Sequence, residues 1–395
     1  MNIAEFIIDQ AFRMTKNSNA KIISGHNGPY FDPGTLVRNY SHWLITYANC
    51  YKWTNDRHFL TNALHLADYL SSSESRPYNF SFHHRNKQGK DQCNGLIGQA
   101  WTFEALKEAS TILEDDKYLQ IAEDVFFLHR FDEKQGLWHC LEIDGRILPI
   151  DTAFNHQLWF AACSSLITSA QNTAIMNRIS RFLDCLDHNV TILPDGLIFH
   201  PIEHLWEKYF CRQFTPMKRL IKTTGYWLKA VKKMKLPEEQ PGKDQIWQAA
   251  HETLVYKSIG YHAFNMYAFA ILKLQIPDHP FWETAAFQKS IDYMLSEDYK
   301  NKLNDNIYGY PYNPPGFELP FSLYVLKNIS MAEIIDTAQF WIQEQLQRSY
   351  NHKTAKLDKS TEDPETLTAR LYETTRLPKE ILEQVEVNCS VPVTS

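Results

Sequence analysis

TAFNHQLWFAACSSLITSAQNTAIMN, residues 152–177, contains no Lys, Arg, Asp or Glu, and Asp151 stands immediately before it. A helix without a charged face is buried on every side. A carboxylate at its mouth is either the helix N-cap or a reactive group at the end of a buried channel.

The same design recurs along the chain. Apolar, nearly uncharged helices are expected to begin near Pro33 (PGTLVRNYSHWLITYANC), Asp91 (DQCNGLIGQAWTFEALKEAS), Gly260 (GYHAFNMYAFAILKL) and Gly316 (GFELPFSLYVLKN). Charged, amphipathic helices follow the apolar ones at 55–71, 115–130, 173–187, 280–296 and 331–349. The apolar starts, from Pro33 through Asp151 to Gly316, are separated by about 58, 60, 109 and 56 residues, which places a hidden unit between about 200 and 250. Six alternations of buried and exposed helix describe an all-α double ring, an (α/α)6 barrel or six-hairpin toroid. It is read over residues 1–350. Residues 351–395 are polar and read as a C-terminal extension, not an independent domain.

Aromatic linkers precede the buried helices: HNGPYFDPG at 26–34, KQGLWHCLEIDGR at 134–146, PDGLIFHPIEH at 194–204 and NIYGYPYNPPG at 306–316. Their Gly, Pro and alternating apolar residues predict short strands or hairpins. If all inner helices run one way, these segments share one rim, where loops on a rigid scaffold carry function.

Composition narrows the classes. Aromatics make up 13% of 395 residues, enough to fill a core and line a cleft. The net charge of -6 argues against a nucleic-acid partner. The basic stretch from Lys218 to Lys235 reads as a solvated outer face. Seven cysteines, odd in number and without C-x-x-C, indicate neither a disulfide framework nor a thiolate zinc site. The start MNIAEFIIDQAF is amphipathic, and no run of ~18 apolar residues suggests a transmembrane segment. A soluble, cytoplasmic protein is expected, compatible with a homo-oligomer, with no metal and no cofactor, since no phosphate loop or dinucleotide fingerprint occurs.

Asp91 and Asp151 occupy equivalent places in neighbouring repeats and should face each other across the mouth. Both also fit the ordinary capping signal. A general acid at neutral pH needs a raised pKa, which burial beside a second carboxylate can supply. Helix N-termini gathered at this rim would favour an anionic ligand such as a uronic acid.

The string PIDTAFNHQLWFAA around Asp151 resembles the inner-helix motif of unsaturated glucuronyl hydrolases and unsaturated rhamnogalacturonyl hydrolases, of the six-hairpin glycosidase superfamily. The resemblance implies a glycoside hydrolase: Asp151 as general acid/base and Asp91 as its partner, hydrating the C4=C5 enol ether of a Δ4,5-unsaturated uronic acid in an oligosaccharide. The wording around Asp91 departs from that family. Asn155, His156 and His262 are candidate sugar ligands. Trp101, Tyr261 and Tyr312 are candidate stacking faces, as are Trp43, Trp159 and Tyr308, and Asn313 and Glu318 follow on the same rim. GYHAFNMYAFAIL at 260–272, with His262, also looks like N-acylglucosamine 2-epimerases, which use two His on an open-chain sugar. That keeps open a sugar epimerase or isomerase, or another surface-glycan biosynthesis enzyme. A non-catalytic glycan-binding barrel is a third possibility. HPIEH at 200–204 matches a zinc-protease pattern by chance more readily than by design. His200 and His204 read as rim residues. Arg85, after His83 and His84, is either a carboxylate ligand or part of a solvated loop.

Overall fold

The computed structural model describes residues 1–16, 22–168, 173–213 and 243–388. Helix α1 spans Ile3–Lys16, α2 Leu36–Thr54, α3 Arg57–Leu70, α4 Gly95–Leu113, α5 Lys117–Leu128, α6 Phe154–Leu166 and α7 Thr173–Asp184. After the undescribed segment, α8 spans Lys243–Gln275, α9 Ala285–Tyr293, α10 Pro315–Leu326 and α11 Met331–Ser349. The tail adds α12, Pro364–Ala369, continued by a 3-10 stretch, Arg370–Arg376.

The architecture is an (α/α)6 barrel. Helices α2, α4, α6, α8 and α10 pack each against the next, and the tail segment 364–376 packs against both α10 and α2, closing the ring. The inner helices show the predicted chemistry: in α6, eleven of thirteen residues from Phe154 to Ser165 and Leu166 are buried except His156 and Leu166. Outer helices are one-sided, as in α11, where Ile334, Ala338, Trp341, Ile342 and Leu346 face inward. Its start is fixed by a capping box of Ser330 and Glu333.

Two sequence expectations are revised. The sixth inner wall comes from the tail, so residues beyond 350 belong to the barrel. The unit expected between about 200 and 250 lies largely outside the described residues, as does the basic stretch 218–235. No helix begins at Gly260. That residue lies inside α8, where a Cβ would meet Tyr308 at 2.5 Å, so glycine admits the 306–308 loop against the helix. The apolar run 152–177 holds the inner helix α6 and the first residues of the outer helix α7, which lies within the amphipathic stretch expected at 173–187.

The tail is held by buried charge as well as by apolar contacts from Leu367, Leu371, Tyr372 and Leu377. Arg370 lies at 2.5 Å from both Glu318 on α10 and Glu373, and all three are buried. Arg376 is ion-paired with buried Glu104 on α4. At the other end of the chain, Ile3 N–H donates to Val385 O (2.9 Å) and Val387 N–H to Met1 O (2.9 Å), tying α1 to the tail.

The rim linkers pair with one another. Gly34 bridges Arg85, and Ala153 bridges Pro201. Phe154 N–H donates to His200 O (3.0 Å) and Ile202 N–H to Thr152 O (2.8 Å), so the strand-like 198–202 segment is laid across the start of α6. Two glutamines repeat one function: Gln99 on α4 bonds both backbone groups of Phe82, and Gln157 on α6 bonds both of Trp138. Each seats the linker before its helix.

Candidate active site

The linkers before α2 and α10, the N-terminal ends of α4 and α6 and the middle of α8 surround one cavity of about 190 Å³. Asn155, His156, Trp101, Tyr261, Tyr312 and Asn313 line it, as the sequence suggested. So do Tyr30, Arg85, Lys90, Asn94, His200 and Lys257. A larger, shallow cleft of about 470 Å³ lies at the opposite ends of α8 and α10, among Lys273, Asp292 and Lys327. It gathers no aromatic face comparable to the rim cavity and is bordered by the exposed Lys327–Asp292 pair.

Aromatic walls and polar links fix the cavity's shape. Tyr30 and Tyr261 hydroxyls are 2.7 Å apart, and Tyr312 donates to Asn27 Oδ1 at 2.8 Å. Arg38 donates to the same oxygen at 2.7 Å and lies over Trp101, 4.0 Å from its ring centre. Asn313 joins the cavity to the ion cluster below, accepting from Arg370 at 2.8 Å.

The two aspartates stand behind this wall, not in it. Asn94 and Gly95 both adopt left-handed backbone (φ 57° and 59°), which turns the first amides of α4 toward them. Asp91 accepts from Gly95 N–H (2.9 Å) and Arg85 (2.5 Å). Asp151 accepts from Ala153 N–H (3.1 Å), from Leu96 N–H of the neighbouring repeat (3.3 Å), and from the Cys140 thiol (3.3 Å). Its shortest contact is to His156 Nδ1, at 2.7 Å.

Asp151 was expected to be held partly protonated with Asp91 as the like-charged partner that raises its pKa, and the surroundings do the reverse. Burial pushes Asp151 up, but His156, through charge and hydrogen bond, and the two amides outweigh it and bring its pKa down to about 2. Burial also raises Asp91, while Arg85 and Gly95 N–H lower it more, and the repulsion from Asp151 is a smaller opposing effect. Both are carboxylates at neutral pH. An ionised Asp151 only accepts, so Nδ1 of His156 is the donor and Nε2 is the ring nitrogen left for chemistry.

His200 packs on Tyr261 with ring centres 4.6 Å apart and leaves Nδ1 without a partner. Burial, Lys257 and His156 push its pKa well down, so it is a neutral imidazole. The cavity thus holds one histidine backed by a carboxylate and one kept neutral.

Two candidates lie elsewhere. His262 is in the core, its Nε2 donating to Ser290 O (3.0 Å) and its Nδ1 accepting from Ile198 N–H (3.4 Å). Glu318 is beneath the cavity in the Arg370 cluster. Trp43 and Trp159 are core residues, and Tyr308 packs with tilted ring contacts against Tyr30 and Tyr261. In HPIEH, Glu203 accepts from Thr191 and His204 stacks on His188, apart from the role of His200.

Gly95 gives a direct test of this geometry. A Cβ there would lie 2.5 Å from Asp151 Oδ2 and 2.8 Å from His156 Nδ1, at positive φ. Gly95→Ala is expected to cost about 1–3 kcal/mol in strained backbone and to separate the Asp151–His156 pair. Urea unfolding and the His156 imidazole resonances in NMR would report both; an unchanged pair would contradict the geometry.

Comparison with known proteins agrees with the fold. No family model matches the chain. Archaeal glycosylation protein Q of Haloferax volcanii is 37% identical over 364 residues, 92% of this chain and 93% of that one. Among solved structures, cellobiose 2-epimerase from Spirochaeta thermophila superposes with a TM-score of 0.59 at 11% identity, covering 97% and 94% of the two chains. A D-mannose isomerase gives 0.57 at 12%, covering 95% and 97%. The GH76A α-1,6-mannanase of Salegentibacter sp. HEL1_6 gives 0.53 at 12%, covering 96% and 99%. No helix among the described residues is long and apolar enough to cross a membrane.

Proposed function

The chain belongs to the family of archaeal glycosylation protein Q and is a glycan-related enzyme, and from that premise we propose that it is a sugar isomerase, moving a proton between the two carbons at the carbonyl end of an open-chain aldose. One observation carries this reading: two imidazoles, His156 and His200, line a sugar-sized aromatic cavity whose nearby carboxylates are all ionised or ion-paired.

The roles follow from the surroundings. His156 takes the C2 proton at Nε2, and the imidazolium that forms is stabilised by Asp151 at 2.7 Å. The neutral His200 relays a proton between O1 and O2, a task that a charged imidazolium performs poorly at neutral pH. His156 then returns its proton to C1, which completes the ketose. Trp101, Tyr261 and Tyr312 supply apolar faces for the sugar, and Asn155 and Asn313 supply amides.

Hydration of an unsaturated uronic acid, which the string around Asp151 suggested, requires a protonated carboxyl at the site. The pKa of about 2 at Asp151 counts against it. The test is a panel of D-mannose, D-glucose and D-glucuronate incubated with the enzyme in D2O and followed by NMR. Deuterium at C2 with ketose formation is the expected result for at least one sugar. Loss of ultraviolet absorbance from Δ4,5-unsaturated oligosaccharides, without exchange at C2, would replace this reading with the hydrolytic one.

A further inference from the structure

Three ammonium or guanidinium groups line the cavity, and two of them are bound to carboxylates. Arg85 is paired with Asp91 (2.5 Å) and Asp32 (3.3 Å), and Lys90 with Asp32 (2.7 Å). Lys257 is different. Among the described residues it has no ion pair and no hydrogen bond; its neighbours are rings, with Nζ 5.0 Å from the centre of Tyr30, 5.3 Å from Tyr261 and 5.9 Å from Tyr308. Aromatic faces attract a cation without neutralising it. The hydroxyls of Tyr30 and Tyr261 are already bonded to each other, which leaves the ammonium protons for a ligand.

Its position on the ring adds to the argument. Lys257 projects from α8, whereas His156 opens α6 and His200 lies on the segment laid across the start of α6. The cavity therefore has a free positive charge on the wall next to its two imidazoles. We propose that Lys257 is a catalytic residue of the proton transfer, the electrophile that binds the carbonyl oxygen and holds its charge in the enediolate. The proposal rests on the isomerase reading of the cavity and adds to it the group that makes C2 acidic.

The electrons and protons balance without a further reactant. His156 removes the proton from C2; the C–H pair becomes the C1=C2 bond, and the carbonyl pair moves onto O1 beside the Lys257 ammonium. His200 shifts one hydroxyl proton from O2 to O1. The pair on O2 then re-forms a carbonyl at C2 as C1 takes the proton back from His156. Lys257 ends in the state in which it began. A fixed donor aimed at a developing oxyanion in a water-poor site is typically worth ~10²–10³-fold in rate.

The groups around Lys257 also set when its charge is available. It is faced by Tyr30, Tyr261 and Tyr308, by His200, by Lys90 ahead of α4, and by Asp151 ahead of α6. Burial is the largest influence and lowers its proton affinity, Lys90 lowers it further, and Asp151 partly offsets both, leaving a pKa of about 7. The ammonium is present below that value and lost above it, so exchange should fall as pH rises through neutrality.

The experiment measures C2 deuterium exchange by wild type, Lys257→Met and Lys257→Arg across the neutral range, with sugar binding measured by calorimetry. Lys257→Met is expected to lose ~10²-fold or more in exchange while binding stays within a few-fold. Lys257→Arg, charged at every accessible pH, is expected to retain measurable exchange and to lose the fall above neutrality. Wild-type exchange in Lys257→Met, or an unaltered alkaline fall in Lys257→Arg, would overturn the assignment and leave the isomerase reading standing. Absence of exchange in wild type with every sugar would refute the isomerase reading, and the role of Lys257 with it.

Discussion

Asp151→Asn is expected to lower the C2 exchange rate by on the order of 10²–10⁴-fold, the full span of a general acid/base contribution, with at most about 1 kcal/mol lost in stability. The reason is the 2.7 Å contact to His156 Nδ1. Asparagine is nearly isosteric and its oxygen can still accept from Leu96 and Ala153 N–H, so the start of α4 and the entry to α6 stay in place. It carries no charge to stabilise an imidazolium, and its amide can donate to Nδ1, which would leave the wrong tautomer facing the sugar. A carboxylate that serves only as a cap predicts the opposite, because asparagine caps as well as aspartate. Exchange rate and urea unfolding on this one variant separate the two: near-normal exchange with normal stability would reduce Asp151 to a structural group.

Arg370→Met is expected to have the largest effect on stability, about 3–5 kcal/mol, the range for removing one partner of a buried ion cluster. The guanidinium is 1% exposed and holds Glu318, Glu373, Asn313 Oδ1 and Tyr312 O. Without it two buried carboxyls lose their cation, and the tail loses its tie to α10. The pH dependence has a defined sign. Burial pushes Glu373 up, Arg370 partly offsets this, and its pKa in the fold is about 7. Between the ordinary carboxylate range and that value the folded chain binds more protons than the unfolded one, so its contribution falls as pH rises. Arg370→Met raises the value further and should extend the fall to higher pH. Chemical denaturation at several pH values measures this; a variant as stable as wild type throughout would show that the tail is held by packing alone.

Much of the barrel was legible because its signals are local. The amphipathic pattern at 331–349 coincides with α11, and 115–130 brackets α5, since one-sided burial writes itself as a periodicity. The sixth wall was not legible. Residues 364–376 carry four charges: Arg370 and Glu373 are buried with Glu318, the half-buried Arg376 pairs with buried Glu104, and Glu365 pairs with Lys356. A segment that closes a ring through ion pairs reads in sequence as a polar tail. Gly260 looked like a helix start because glycine commonly punctuates, yet here it permits the close approach of Tyr308 inside a long helix.

The site was legible in part for a related reason. Trp101, Asn155, His156, Tyr312 and Asn313 follow from their places near the rim ends of apolar helices, whereas Tyr261 reaches the cavity from the middle of α8. His262 has the same sequence context but faces the core, where Ser290 O and Ile198 N–H occupy both ring nitrogens. His200 was visible as a rim residue in HPIEH, but its place beside α6 depends on the bridge between Ala153 and Pro201, a long-range pairing. Lys257 has no motif around it. Its role comes from what the fold withholds, a counter-ion.

The central claim is that proton transfer in this cavity runs through two imidazoles, one backed by Asp151 and one held neutral. The most direct measurement is C2 deuterium incorporation in His156→Gln and in His200→Gln, each compared with wild type on a sugar that wild type exchanges, with binding of that sugar measured alongside. Both variants are predicted to bind the sugar and to lose at least ~10²-fold in exchange. Exchange at the wild-type rate in either variant would contradict the claim.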